Sequence, residues 1–440
     1  MISEQQEAGE GSCSSSSSTA ERRGLTEEGI HGYWGSPMQL FDVSATSPRE
    51  LAGRELPKSV LYSISARLGG SGLDTDAFET VRGLHEAGIL GRAIVYANRQ
   101  EIAPASRIQS LRWHPVRMLS WLDREYYYGA KKHYLDAMAR AELRSGRHDL
   151  FHGWSGECLR TLREAKRVGI PSVLEIPTWH RNKGKTKPAV TKSERERAAA
   201  PWPQRMMNGL LVTRQQVVEE YELATLILVL SHCAADTFRA AGFPEEKLFY
   251  LPRGVDIERF TPAERAPEKF RAIFLGALKK RKGVHTLLEA WHGLRLKDAE
   301  LVLVGHVHEE MKEYLARYAD GSVRLEGFCG EPEKLLRTAS VHIFPSTCEG
   351  SAKVTFEAAA AGLPQITTYE SGDAVVDGET GCVIPCGDVG ALAGAIERLY
   401  AAPGERARMG AAARARMAAL FTWDHFRLRL REAYRVARER

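Results

Sequence analysis

The sequence predicts an α/β protein built of two doubly wound, Rossmann-like domains that face each other across a cleft. Three observations lead there. From residue 59 onward, short apolar runs alternate with stretches of helical period. The alternation pauses and restarts near Ala272. And 440 residues exceed what one ordinary core accommodates.

In the first half, the apolar runs at 60–64, 93–96, 150–151, 172–174, 226–230 and 248–251 read as buried strands. Phe78, Val81 and Leu84 carry the 3-4 spacing of a helix between the first two. In the second half, strands are expected at 273–275, 301–304, 323–325, 342–344 and 365–367, with helices starting near Val284, His308, Pro332, Ala352 and Val389. Strands that alternate with helices make βαβ units and a parallel sheet. The seam falls at 256–262, which divides the chain into domains 55–257 and 258–422. A last helix near 424–440 has no strand to lead into. Residues 1–54, with the serine run 14–18, carry too little apolar surface to offset ordering entropy and are expected to form a disordered tail.

Hydrophobic content of 43% with 27% charged residues belongs to a soluble globular chain. The net charge of +5 suits an anionic small substrate or an acidic surface, and gives no case for nucleic acid. Seven scattered cysteines, with no C-x-x-C pair, argue for reduced thiols instead of a zinc site or disulfide framework. The start is acidic and serine-rich, unlike a secretory signal, and no apolar run approaches a membrane span. A cytoplasmic protein is expected.

Three motifs carry chemistry. Gly69 and Gly70 lie between the first strand and a helix that Asp76 and Glu79 are expected to open as a capping box. Such a loop lets backbone amides approach an anion, although a plain strand-to-helix turn looks the same. Lys279, Lys280, Arg281, Lys282 and Gly283 follow the first strand of the second unit, where a loop points into the ligand cleft. Fixed cations there would stabilise a departing diphosphate, while a solvated charged loop is the plainer alternative. The third motif is 345–358. A strand ends at Phe344, Glu349 sits in the loop, and Ser351 is placed to cap a helix running to Ala361. Gly362 then stops it and Pro364 prevents continuation. Glu357 falls in the second turn, where its carboxylate can accept both hydroxyls of a ribose.

With these motifs the sequence resembles the GT-B fold glycosyltransferases of family 4 over roughly residues 58–426. The resemblance rests on the E-x7-E pair Glu349 and Glu357, the loop Arg281-Lys282-Gly283, the Gly69-Gly70 loop, and Pro252-Arg253-Gly254-Val255-Asp256 before Phe260. It implies a retaining transfer from a UDP-, GDP- or ADP-sugar, without metal or other cofactor, to a glycan, lipid-linked or small-molecule acceptor. Glu349 would contact the donor sugar and Glu357 the ribose. Arg281 and Lys282 would hold the diphosphate, with amides at Gly69, Gly70, Gly350, Ser351 and Ala352. The last helix, 423–440, would pack back on the first domain.

Three departures from the family pattern stand out. Ala277 occupies a position where many members have arginine, and Lys353 stands at the helix start, either as a further phosphate contact or as a solvated side chain. The histidine of the first domain is ambiguous. Trp154 takes its usual place, leaving His152 and His180 as candidates beside a purely structural role. The stretch 111–122, with Trp113 and Trp121 among basic residues, and the basic run 180–192 would suit peripheral contact with an anionic membrane. An amphipathic helix packed on the sheet plus a loop is the plainer reading. A nucleotide-sugar epimerase and a binding-only relative are the functional alternatives. A pyridoxal phosphorylase lacks its lysine motif, and a nicotinamide dehydrogenase its glycine fingerprint.

Overall fold

The computed structural model describes residues 55–440 except 71–72, 112–113, 182–195, 198 and 266. The expected tail 1–54 and most of the basic run 180–192 lie outside the described residues.

Seven parallel strands form the first sheet: β1 (Val60–Leu68), β2 (Leu90–Asn98), β3 (Ile108–Ser110), β4 (Leu150–Trp154), β5 (Ser172–Glu175), β6 (Leu226–Val229) and β7 (Leu248–Tyr250). Their order is β3-β2-β1-β4-β5-β6-β7. Six more make the second: β8 (Phe270–Leu275), β9 (Ala299–Val304), β10 (Val323–Gly327), β11 (Val341–Phe344), β12 (Gln365–Thr368) and β13 (Gly381–Ile384). Their order, β10-β9-β8-β11-β12-β13, repeats the first. In each sheet the winding reverses beside the first strand, between β1 and β4 and between β8 and β11. At such a switch point the loops leaving the strand ends part in opposite directions and open a crevice.

Strands buried on both faces need continuous apolar sequence, which is why most of them stand out in the sequence. Two did not. β3 is Ile-Gln-Ser at a sheet edge, and β13 opens with Gly381 and Cys382. The 18-residue helix Pro403–Leu420 was also missed, because its alanine- and arginine-rich sequence buries only Met409, Gly410, Ala413 and Met417.

The helix after β1 spans Leu73–Glu86, so Asp76 lies inside it and does not open it. The expected capping box gives way to two buried ion pairs, Asp76 with Arg253 and Glu79 with Arg427. Arg427 belongs to the last helix, Trp423–Arg438, which begins with a capping box between Thr422 and His425. Phe426, Leu430, Ala433, Tyr434 and Ala437 repeat at helical spacing and are buried in the core of the first sheet. The chain thus returns from the second sheet to the first.

The described residues of 111–122 do not form an amphipathic helix. Pro115–Leu119 is a short 3-10 turn, and Met118 and Trp121 point outward, 81% and 78% exposed.

Candidate active site

The basic loop after β8 and the loop after β11 are bound into one unit. The carbonyl of Arg281 accepts from the Thr347 amide (2.9 Å), the Ser346 hydroxyl (3.1 Å) and the Thr347 hydroxyl (3.0 Å). That union brings side chains together across the switch point. Lys282 Nζ donates to Glu349 Oε1, Arg281 Nη1 lies 3.8 Å from the same oxygen, and Ser346 donates to it over 3.3 Å. Arg281 also donates to the carbonyl of Cys348 (2.9 Å). Two cations and a carboxylate separated by 67 residues in sequence therefore share one spot, as the sequence grouping expected.

Glu357 stands eight residues on, in the helix Lys353–Ala360. Its carboxylate lies 3.4 Å from Lys353 Nζ, and burial raises its pKa against the pull of that ammonium. Both side chains line a cleft of about 320 Å³ together with Gly69, Gly70, Asp256, Arg259 and Trp423. The glycine loop of the first sheet and the acid of the second thus face one space. Glu349, Arg281 and Lys282 are not among the residues lining it.

The first domain closes over that loop. Trp179 Nε1 donates to the Glu349 carbonyl, and Gly350 sits directly under the 177–178 segment. A Cβ on Gly350 would fall 2.7 Å from Thr178 Cα, inside van der Waals contact, so only glycine fits this approach. Further along, His232 Nδ1 and the Asp373 carboxylate meet at 2.9 Å, and Tyr369 donates to Asp236 at 2.6 Å.

Several expected contributors are placed differently. Ser351 does not cap the helix: Ala352 is its N-cap residue, and the buried Ser351 hydroxyl makes no hydrogen bond with the described residues. The Ala352 amide already donates to the Ser371 carbonyl (3.0 Å), which removes it as a phosphate donor. His152 is the third residue of β4 and has no exposed surface. Its Nδ1 meets the Tyr434 hydroxyl at 2.9 Å and its Nε2 lies 3.5 Å from Glu175, so it fastens the last helix to the first sheet. His180 packs among Tyr221, Phe238 and Phe243, and burial pushes its pKa down to about 4. Both histidines are core residues away from the cleft lining. β4 runs on past His152, which carries that ring inside, and aromatic neighbours close over the ring of His180.

Asp256, Arg259, Phe260 and Trp423 line the cleft without having been singled out as site residues. The phrase 252–256 had marked their neighbourhood, but a connecting segment has no period from which side-chain direction could be read. Arg259 is anchored by Glu333 at 2.9 Å. Among the described residues, no group of three His, Cys, Asp or Glu side chains is gathered as metal ligands would be, and no helix is long and apolar enough to cross a membrane.

Residues 269–402 match the family model for glycosyl transferases group 1. CapM, a capsular polysaccharide biosynthesis glycosyltransferase of Staphylococcus aureus, is 29% identical over 168 residues, or 34% of this chain and 44% of CapM. An MMP alpha-(1->4)-mannosyltransferase of Mycolicibacterium hassiacum is 28% identical over 295 residues, or 64% of this chain and 69% of that protein. The alignments thus span less than half of the first relative and about two thirds of the second. Anabaena HepE, solved in complex with UDP, superposes with a TM-score of 0.59 at 15% identity, covering 85% of this chain and 98% of HepE. The chain is therefore similar in sequence to glycosyltransferases, and it adopts the GT-B fold of two Rossmann-like domains with parallel sheets.

Proposed function

We propose that the protein is a retaining, metal-independent glycosyltransferase that moves a sugar from a nucleotide-diphosphate sugar to a glycan, lipid-linked or small-molecule acceptor. The observation that carries this reading is the meeting of Arg281 and Lys282 with Glu349 at the β8/β11 switch point. Two cations gathered where the winding of the second sheet reverses would take up the charge that develops on a departing diphosphate, the work a bound metal performs elsewhere. Their partner Glu349 holds them in position and, once a diphosphate draws them away, has a carboxylate for a donor-sugar hydroxyl.

Glu357 would accept from the ribose hydroxyls, and Lys353 beside it would reach a phosphate oxygen. Gly69 and Gly70 close the same cleft from the first domain. In the transfer, the acceptor oxygen bonds to the anomeric carbon as the bond to the diphosphate oxygen breaks on the same face. The acceptor's proton passes to the leaving phosphate. HepE was solved with UDP, and uracil is the first base to try. Exposed Met118 and Trp121 on the acceptor-side domain admit a lipid-linked acceptor through peripheral membrane contact.

The test is a thermal-shift panel of UDP, GDP, ADP and their sugars, followed by product analysis. A true donor raises the melting point by mass action, and the anomeric configuration of the product reports retention. If no nucleotide stabilises the protein, the reading fails. Stabilisation without donor hydrolysis or transfer would support the binding-only alternative instead.

A further inference from the structure

A second pocket, of about 390 Å³, opens on the first domain and takes no part in the donor reading above. Arg67, Tyr96, Arg99, His114, Arg117 and Tyr127 are among its lining residues. Arg67 lies near the carboxyl end of β1, Tyr96 near that of β2, and Arg99 just beyond it. That is the end of a parallel sheet at which ligands bind.

The pocket adjoins the donor cleft. A Cβ on Gly69, which lines the cleft, would lie 3.3 Å from the Arg99 carbonyl, so one thin wall of backbone separates the two spaces.

Its charge is one-sided. Among the described residues, three guanidinium-bearing ones line it and no carboxylate does. A fourth cation stands behind: Lys131, 4% exposed, sets its ammonium 3.4 Å from the centroid of the Tyr96 ring and 4.6 Å from that of Tyr128. Arg67 lies over the same Tyr96 ring at 5.6 Å. Burial, with repulsion from Arg67 and Lys132, pushes the Lys131 pKa down to about 8 despite the attraction of Glu157. His114 is lowered by burial and then by Lys131 and Arg117, which keeps that ring neutral at pH 7. Two acids act on these cations from outside the lining. Asp74 accepts from the Arg67 amide (2.8 Å), and Glu157 accepts from the Ser65 amide (2.7 Å) and lies 3.8 Å from Lys132.

Burying an ammonium against aromatic faces beside three arginines is costly unless an anion is received there. A carboxylate offers such a set of donors only one charge and two oxygens. A phosphate, with up to two charges and three oxygens to spread among guanidinium forks, matches it. Tyr96 and Tyr127 add hydroxyls suited to a polyol. We propose that this pocket is the acceptor subsite and that the acceptor carries a phosphate group. The inference rests on the glycosyltransferase reading for the word acceptor, whereas the phosphate site itself can be tested without it.

The test uses the full chain, with UDP held apart as an independent probe. Glucose 6-phosphate, glucuronate and glucose are titrated calorimetrically, and vesicles of phosphatidylglycerol or phosphatidylcholine are tested by co-sedimentation. Glucose 6-phosphate should bind at least about tenfold tighter than glucose or glucuronate if the phosphate belongs to a soluble acceptor. If it belongs to a lipid headgroup, phosphatidylglycerol vesicles should capture the protein and phosphatidylcholine vesicles should not. In either case Arg67→Gln with Arg117→Gln should abolish the preference and leave UDP binding as it was. Lys131→Met serves as a second variant should the double one fold poorly. A protein that prefers neither phosphorylated probe overturns the proposal, as does a preference that survives in a folded variant. Loss of UDP binding by the parental protein would instead sink the donor reading.

Discussion

The seven-stranded and six-stranded sheets are wound in the same order, yet the loops at their strand ends hold charge in opposite ways. After β8 and β11, Arg281 and Lys282 are held by Glu349, so cation and anion are assembled in advance. Beside β1 and β2, Arg67, Arg99 and Arg117 line a pocket with no lining carboxylate among the described residues. An acid partner fixes the direction of a lysine and gives way when a stronger anion enters; a pocket whose acids stand outside its lining is an electropositive receptor. The same fold thus supplies an ordered grip on one side and an open well on the other. The titratable rings differ as well. The first domain's His152 and His180 are enclosed by its core, whereas the second domain's Lys353 and Glu357 line the cleft.

The largest effect should come from breaking the ordered grip. Arg281→Ala combined with Lys282→Ala is expected to lower kcat by about 100-fold or more, as removal of preorganised donors to a transition-state anion does. Donor binding should weaken much less, since the charge develops during the reaction. Steady-state kinetics beside nucleotide calorimetry separates the two, and parental turnover in the double variant would dissolve the contrast between the two domains.

Next comes Glu357→Ala. Loss of a charged hydrogen-bond partner should cost about 1–3 kcal/mol of nucleoside diphosphate binding, or about 5- to 150-fold in Kd. The penalty should shrink for a 2′,3′-dideoxy nucleotide, which has no hydroxyls for the carboxylate to accept. An equal penalty for both nucleotides would mean that Glu357 acts through Lys353.

Much of this arrangement was legible in the sequence, for identifiable reasons. The doubly buried strands announce themselves as apolar runs, and Gly362, with φ of +72°, ends its helix where the sequence placed the stop. The grouping of Arg281, Lys282 and Glu349 was legible because each follows a strand and must emerge at the same end of the sheet. What a strand's length or a loop's direction decides was not legible. β4 runs to Trp154 and carries His152 inside. The helix begins past Ser351, leaving that hydroxyl uncapping and buried. Arg67 and Arg99 are 32 positions apart, on neighbouring strands, and no local pattern joins them to Arg117. That electropositive pocket exists only once β1 and β2 are paired.

Gly350→Ala probes how closely the domains must approach. Its methyl would press on the 177–178 segment, an overpacking that typically costs about 1–3 kcal/mol. Turnover should fall by about tenfold or less, with a measurable opening in small-angle scattering. Unchanged kinetics and scattering would show that the contact with Pro177 and Thr178 is not needed for activity.

The smallest effect on transfer is expected from His180→Phe, and its value lies in what it isolates. Burial holds the His180 pKa near 4, below the roughly 6.5 of an unfolded chain. The unfolded state therefore binds the proton first as pH falls. The native state has its full stability above about pH 6.5, loses about 2 kcal/mol by pH 5, and loses no more from this group below about pH 4. Phenylalanine keeps the ring among Tyr221, Phe238 and Phe243 and cannot titrate, so the variant should show a shallower acid decline in chemical denaturation. Its kcat at pH 7.5 should match the parent's. A kcat lowered more than tenfold, with the parent's rate titrating on a group near pH 6–7, would instead make His180 part of the chemistry. The first domain would then contribute a titrating ring as well as an electropositive well, and the division of labour between the two sheets would have to be redrawn.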